Sequence, residues 1–415
     1  MIQSNLTNMK RSLLKYGLLL LAVLLLPAFA LHAQAPRYYD TYAAMAADRA
    51  ASGLCITNGY YQKYDGGGAE YVVRKAERSD VAGVNVEKLG NGLVAQLLLE
   101  SSRVNIKTLG AKTDDPRFDN SKIIDKAMKM LLHYWSVRQI QAMHTNGGGT
   151  VYIPAGVYYC SSTIPMNGRP DITIEGDNRT TVELRLNGTF LKYDNTQGAD
   201  LTHVQFLRLK ELTFVGGTNA ISAIAAHLVT VENCRFENME MPLLFYLTVD
   251  VRVLGCYFNN CKSGVYVSGN AGVGPSTSFY VQNSYFAWCG NGIVLDFNRN
   301  YITQAVVSDC VLEYCNRMVV ANGNSSKKSM IYLTHNHFEG ARGSGKIAVE
   351  LNNFSAQVSG NLFDENLKDV LSISSAAGNE IEVRDVKWNQ VKFNGGNRGT
   401  ILFESSDGRR LDTRR

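Results

Sequence analysis

The 415 residues are 45% hydrophobic and 19% charged, the balance of a soluble chain long enough to bury a large core. The formal net charge of +5 includes Lys10, Arg11 and Lys15; without them it is +2, too weak to point to nucleic acid or an anionic membrane as partner. The 37 Gly against 8 Pro, in a chain rich in Val, Ile, Tyr and Phe, suit many short strands joined by tight turns.

At the amino terminus, Lys10, Arg11 and Lys15 precede an unbroken apolar run over residues 18–26, then Pro27 and small residues. A basic segment, a short apolar core and a small-residue exit predict a secretory signal peptide over residues 1–35, cleaved after Ala33 or Ala35. The run is shorter than the roughly 20 residues a membrane span needs. No Cys lies in this segment to carry a lipid. The mature protein is therefore expected to be exported (periplasmic, cell-surface or extracellular) with no membrane attachment after cleavage.

Within residues 36–102 the Gly66-Gly67-Gly68 run has the look of a phosphate loop but lacks a following Lys-Ser/Thr and a helix, so a hairpin turn is expected. Residues 103–112, Arg-Val-Asn-Ile-Lys-Thr-Leu-Gly-Ala-Lys, are followed by Asp114, Asp115 and Asp119. A helix from Ser121 to about Gln141 comes next, with Asn120 or Ser121 as cap. Ile123, Ile124, Ala127, Met130 and Leu131 lie on one side of it at helical spacing. Then comes Gly147-Gly148-Gly149-Thr150-Val151-Tyr152-Ile153-Pro154-Ala155-Gly156-Val157-Tyr158.

This order resembles the amino-terminal signature of the pectate-lyase-like superfamily, which includes rhamnogalacturonase-type enzymes and phage tailspikes. The resemblance implies that the helix caps the open end of a β-helix, whose backbone would otherwise invite aggregation. It also implies that the Gly-rich turn opens the first coils. Asp114-Asp115-Pro116 and Asp119-Asn120-Ser121 stand where the family has Asp-Gly and then Asp-Asp-Thr. Through Gly59-Tyr60-Tyr61 and the run from Asp65 to Tyr71, residues 36–102 resemble the small leader subdomain preceding this signature in some tailspikes and bacterial homologues.

From Leu212 onward a repeat emerges. The pattern of an anchor residue and an aromatic two positions later recurs with anchors at 212, 234, 256, 284, 310, 336, 361 and 386. Each unit alternates apolar and polar residues, breaks at Asn or Gly, and alternates again, which describes a strand-turn-strand coil that must stack on its neighbours. The fold class expected is all-β: a right-handed single-stranded parallel β-helix over residues 103–403, with the capping helix and the leader subdomain. Because strand side chains alternate, anchor and aromatic point the same way, inward. Phe214, Phe236, Phe258, Phe286, Leu312, Phe338, Phe363 and Trp388 then form one internal row. Leu212, Cys234, Cys256, Ser284, Cys310, Asn336, Asn361 and Val386 form a second, and Cys261, Cys289 and Cys315 a third. Disulfides between stacked coils are geometrically open, but free, buried thiols are the expectation. Residues 404–415 lack alternation and predict a disordered basic tail.

The resemblance places any sugar-cleaving residues outside the coil, on the sheet formed by residues 243–247, 265–269, 293–297, 319–323, 347–351 and 370–374. Alternation puts Val265, Val267, Ile293, Leu295, Ile347 and Val349 inside. Tyr246, Ser268, Asp296, Asn322, Glu350 and Ser374 then face outward, one per coil. Asp296 and Glu350, two coils apart, would have backbones about 9.6 Å from each other, a spacing that suits the acid and base of an inverting glycosidase. Arg299, Tyr301, Arg317 and Lys346 flank them as candidates for binding an acidic sugar, together with Asn322, Ser268 and Tyr246. Alternatively, Lys346 or Arg299 abstracts a proton in a lyase-type elimination, or the two acids are merely solvated strand residues.

A second outward cluster joins Asp309, His335 and His337, and Glu313, Glu339 and Asp364 stack three positions past the anchors. A calcium ion could bridge these acids, although a hydrated turn row is preferred, so no cofactor is expected. The polygalacturonase pattern of Asn-Thr-Asp, Asp-Asp and Gly-His-Gly does not occur, nor do the calcium-binding and arginine motifs of pectate lyases. The expected partner is a polysaccharide, cleaved by a hydrolase or lyase acting on a uronate- or rhamnose-containing glycan. A non-catalytic carbohydrate-binding β-helix and a trimeric tailspike-like adhesin remain as alternatives, so the chain is a monomer or a homotrimer.

Overall fold

The computed structural model describes residues 35–99, 101–138, 148–169, 171–194, 206–269, 274–340, 347–365, 367, 369–394 and 399–413. Residues 1–34 of the expected signal peptide and residues 139–141 of the expected helix lie outside this set. From Arg103 the chain winds as a right-handed parallel β-helix. Successive coils add strands to three sheets of 13, nine and ten strands.

The corners explain why this sequence coils. The residue before each anchor, namely Glu211, Asn233, Gly255, Asn283, Asp309, His335, Gly360 and Asp385, adopts a φ between 51° and 69°. At the first seven, that left-handed conformation redirects the chain from the 13-stranded into the nine-stranded sheet, and at Asp385 it leads into the turn Trp388–Gln390. Gly takes it without penalty, and the short polar Asn and Asp side chains tolerate it. Asn233, Gly255, Asn283 and Gly360 are Asn and Gly breaks of the repeat, and the other four corners carry Glu, Asp or His.

Just past each corner the anchors turn inward. Where they are polar they satisfy the backbone inside the turn. Ser284 Oγ accepts from Cys256 N at 3.1 Å, Asn336 Oδ1 from Cys310 N at 3.0 Å, and Asn361 Oδ1 from Asn336 N at 3.0 Å. Asn336 Nδ2 in turn donates to the Val307 carbonyl at 2.9 Å. Cys234, Cys256 and Cys310 fill the same position as small apolar groups. All eight cysteines are free and buried, and burial pushes the thiols of Cys256 and Cys310 up to about 12.

The aromatic row is in register from Phe214 through Phe236, Phe258, Phe286, Leu312 and Phe338 to Phe363. Its rings stack at 5.3, 4.8 and 4.5 Å between Phe214 and Phe286. The row begins earlier than the repeat suggested, with Tyr158 and Leu184. It also ends earlier. Trp388 does not continue it, because the nine-stranded sheet stops at Leu362–Phe363. Trp388 lies instead in a short 3-10 turn, Trp388–Gln390, and packs half-buried against Phe393 and Phe403 as a roof over the last coil.

Both ends are closed. The helix Ser121–Arg138 buries Ile124, Ala127, Met128 and Leu131 over the first coil. Asn120, fully buried, bridges Lys112 and the Tyr159 carbonyl. Asp119 accepts from Ser121 N, Ser161 N and Ser162 Oγ. Burial works against its charge, but these hydrogen bonds outweigh it and hold the carboxyl below the usual range. At the other end residues 404–413 of the expected disordered tail are ordered. Arg410–Asp412 pairs antiparallel with Thr400–Glu404, and the reversal is tied by Ser405 Oγ accepting from Arg409 N at 2.8 Å. A tight polar turn, not apolar alternation, specifies this hairpin.

Ahead of the first coil, residues 37–97 form a five-stranded sheet with its own small core of Met45, Ala51, Cys55, Tyr71, Val73 and Ala95. The Gly66-Gly67-Gly68 run lies in the connection between antiparallel strands Gly53–Thr57 and Ala69–Lys75. Asp65 organises it by accepting backbone N–H groups from Tyr60, Tyr61, Gln62 and Gly67.

Two outcomes follow. Asn336→Ala strands the Cys310 N–H and the Val307 carbonyl, so urea unfolding should show a loss of about 2–4 kcal/mol, while Arg384→Ala on the outer surface stays within about 0.5 kcal/mol. Asp119 has a depressed folded pKa, so its stabilisation is complete above its unfolded value near ~4 and is lost as pH falls through the folded value. The gap in melting temperature between the natural protein and Asp119→Asn should be constant from about pH 7 to 5 and shrink below about 4. A gap independent of pH would remove Asp119 from this role.

Candidate active site on the ten-stranded sheet

The outer face of the ten-stranded sheet is built by strands Ser263–Ser268, Asn291–Asp296, Arg317–Asn322, Ile347–Asn352 and Asp369–Ser374. Inward rows Val265, Ile293, Val319, Val349, Leu371 and Val267, Leu295, Ala321, Leu351, Ile373 fix the orientation. The residues that follow each inward position face outward.

One expected register is corrected. The outward row runs Ser268, Asp296, Asn322, Asn352, Ser374, with Asn352 where Glu350 was placed. Glu350 belongs to the parallel row with Tyr266, Val294, Val320 and Ser372. Ile347, expected inside, is the half-buried entry residue of its strand, opposite Asp369. The slip is two residues, so Glu350 keeps its outward direction. Two coils of ~4.8 Å and two residues of ~3.3 Å now separate it from Asp296, placing their backbones about 12 Å apart.

Side-chain bonds cross this offset. Tyr266 Oη donates to Asp296 Oδ2 at 3.0 Å, and Asn298 Nδ2 to Asp296 Oδ1 at 2.6 Å. Burial, reinforced by the Asp296 charge, pushes the Tyr266 phenol up to about 12, so it remains a donor at neutral pH. Asn322, beside Asp296, accepts at Oδ1 from Asn352 Nδ2 at 2.9 Å. The same amide nitrogen lies 2.8 Å from Glu350 Oε1. Glu350 therefore leans back toward the Asp296 row. Its second oxygen is 3.7 Å from Arg317 Nη1, and Arg317 Nε donates to Asn291 Oδ1 at 2.9 Å. Asn291 continues the ladder to Ser263 Oγ at 3.0 Å.

The remaining expected residues divide. Arg317 is in the network. Arg299 is exposed and Tyr301 half-buried on the connection that follows Asp296, at the rim of the sheet; the Arg299 carbonyl accepts from Lys327 Nζ at 3.4 Å. Tyr246 is half-buried near the Tyr266 phenol. Ser268 is outward by parity yet only 2% exposed. Its strand end is covered, since Phe297 packs so closely on Gly269 that a Cβ there would come within 2.6 Å of the ring. Lys346 lies outside the described residues.

Tyr266, Asn291, Asn298 and Asn352 were missed. Asn352 was readable from the inward pair Val349 and Leu351, which the apolar Ile347 disguised. In the second outward cluster, Tyr285 donates to Glu313, while His337 and Glu339 lie 4.0 Å apart. Among the described residues no three His, Cys, Asp or Glu gather as a metal site.

A polar, carboxylate-bearing ladder on the outside of a parallel β-helix invites comparison with known proteins. No curated protein matches the chain. The fold is similar to that of Pantoea stewartii WceF, described as a glycan biofilm modifying enzyme with a tailspike-like parallel β-helix (14% identity, TM-score 0.52). The match covers 89% of this chain and 52% of WceF, so the chain spans about half the length of that protein. Tailspike gp49 of Acinetobacter baumannii bacteriophage Fri1, a capsular polysaccharide depolymerase, is similar at 11% identity and TM-score 0.57, over 91% of this chain and 77% of gp49. Tailspike gp42 of Acinetobacter phage vb_AbaP_AS12 is similar at 13% identity and TM-score 0.55, over 91% and 76%. At these identities the likeness shows the fold. The lineage comes from sequence: the family model "Rhamnogalacturonase A/epimerase, pectate lyase-like" matches residues 103–319, from the first strand of the coil through the Asp296 strand and into the next, and the chain belongs to that family.

Proposed function

We propose that this chain is an exported polysaccharide-cleaving enzyme, with Asp296 and Glu350 as the carboxyl pair on the outer face of the ten-stranded sheet. The observation that carries the reading is a pair of side-chain networks on one face, Tyr266–Asp296–Asn298 and Asn322–Asn352–Glu350–Arg317. It orients two carboxyl groups on a face where the family and the polar ladder both favour a sugar chain. The tilt of Glu350 toward Asn352 brings its carboxyl nearer the Asp296 row than the backbones are. A separation of about 6.5–9.5 Å leaves room for a water between acid and base, whereas about 5 Å would suit a covalent intermediate. One carboxyl then protonates the glycosidic oxygen while the other draws a proton from the attacking water.

Arg299 and Arg317, with Lys346 close in sequence to the Glu350 strand, favour an acidic glycan. Export rests on the basic, apolar and small-residue pattern of residues 1–35. The glycan-directed descriptions of WceF and the Fri1 tailspike agree with a polysaccharide as ligand. A second reading, carbohydrate binding without cleavage, draws on the corrected register: backbones about 12 Å apart are wide for a catalytic pair.

Incubation of the mature protein with uronate- and rhamnose-containing polysaccharides separates these readings. New reducing ends without unsaturated products mean hydrolysis, and products absorbing in the near ultraviolet mean elimination. Asp296→Asn and Glu350→Gln should each lower kcat by about 10²-fold or more at unchanged melting temperature. Full activity in both variants would place the chemistry elsewhere, and retention of glycan without product would favour the binding module.

A further inference from the structure

The corners leading from the nine-stranded into the ten-stranded sheet are also left-handed. Gly216, Asn238, Asn260, Trp288, Tyr314 and Gly340 occupy them, with φ between 50° and 71°. Four of the six are Gly or Asn, the residues that accept this conformation readily. Two are large rings, for which it is uncommon. The fold itself does not ask for rings: Asn260 and Asn238 turn the same corner with an amide ladder of 2.7 Å. A strained conformation retained where a cheaper residue would serve points to function.

The rings are organised. Trp288 and Tyr314 stack with centroids 4.7 Å apart and planes 18° from parallel. In the next coil Gly340 makes room for the tyrosine, since a Cβ there would come within 2.6 Å of the Tyr314 ring. Tyr314 is thus seated between Gly340 and Trp288, and the indole stands at the surface 41% exposed. Its backbone is fixed by Trp288 N donating to the Glu313 carbonyl at 3.2 Å. An aromatic group held this way loses little freedom on binding.

The surroundings are polar. Asn260, Lys262 and Asn316 are exposed beside the rings. Asn291 and Arg317, three residues beyond Trp288 and Tyr314, begin the ladder that reaches Glu350. A single indole rimmed by amides and a cation suits a pyranose, which offers one apolar C–H face and a hydroxyl edge. It is too small an apolar patch to suit a protein partner.

We propose that Trp288 is a sugar-stacking subsite for a polysaccharide chain, with Tyr314 and Gly340 as its positioning residues. The proposal rests on the ligand being a polysaccharide, and not on Asp296 and Glu350 being the carboxyl pair.

The test is affinity electrophoresis of the full mature chain through gels containing polygalacturonate, rhamnogalacturonan or a bacterial capsular polysaccharide. Staining each gel for polysaccharide after the run confirms that the matrix stays intact. At least one polysaccharide should retard the parent protein. Trp288→Ala and Tyr314→Ala should weaken the apparent affinity tenfold or more, Tyr314→Phe should preserve it, and Gly340→Ala should weaken it by displacing the tyrosine. The indole emission should shift on adding that polysaccharide, and the shift should vanish in Trp288→Phe. Retardation by none of the three, or equal retardation with and without Trp288, overturns the subsite. A lower molar mass in solution for Trp288→Ala also overturns it, by making the rings a contact between copies. Loss of cleavage in Asp296→Asn, measured separately, would leave the site on the ten-stranded sheet standing even then.

Discussion

Hydrogen bonding between successive coils is the constraint on which everything else depends. Each parallel strand can pair with the next only about 4.8 Å further along the axis, so a residue's nearest neighbours are its equivalents one coil up and one coil down. Like therefore sits on like: phenylalanine on phenylalanine from Phe214 to Phe286 and asparagine on asparagine at Asn336 and Asn361. Such stacking suits apolar rings, amides and thiols, which gain by lying against copies of themselves. It penalises charges of one sign inside, and there are none in the three inner rows.

The same constraint made much of the fold legible. An inner row must recur at the coil period, so the anchors and aromatics could be aligned from the chain alone, and the alignment holds from Phe214 to Phe363 in every pair. What was not legible is where the period breaks. Ile347 is apolar and opens a strand after a Gly- and Ser-containing stretch, so it passed for an inward residue when Val349 and Leu351 fill that role. Trp388 keeps the local pattern but falls in the turn Trp388–Gln390, outside the nine-stranded sheet. The terminal hairpin is specified by Ser405 and backbone pairing, which leave little trace in hydropathy. Tyr158 and Leu184 belong to the aromatic row but precede the residues in which the repeat is clear.

For the candidate site, parity was readable and position was not. Outward direction survives a slip of two, so Asp296, Asn322 and Glu350 share the expected face, but the geometry between the carboxyl groups changed. Tyr266 and Asn352 were invisible because their importance lies in what they touch across coils. On this face, unlike the interior, neighbouring coils carry different side chains, and a network of Tyr, Asp, Asn, Glu and Arg replaces the repetition. Variation from coil to coil on a uniform scaffold is what a site requires, and the rings at Trp288 and Tyr314 depart from their own corner row in the same way.

The most direct measurement is a crystal structure of the Asp296→Asn protein with an oligosaccharide of the polysaccharide it retains. A sugar chain should lie along the coil axis over the ten-stranded sheet, with a glycosidic oxygen between residue 296 and Glu350. A sugar chain bound to the 13-stranded sheet, or across the end of the coil, would contradict that placement.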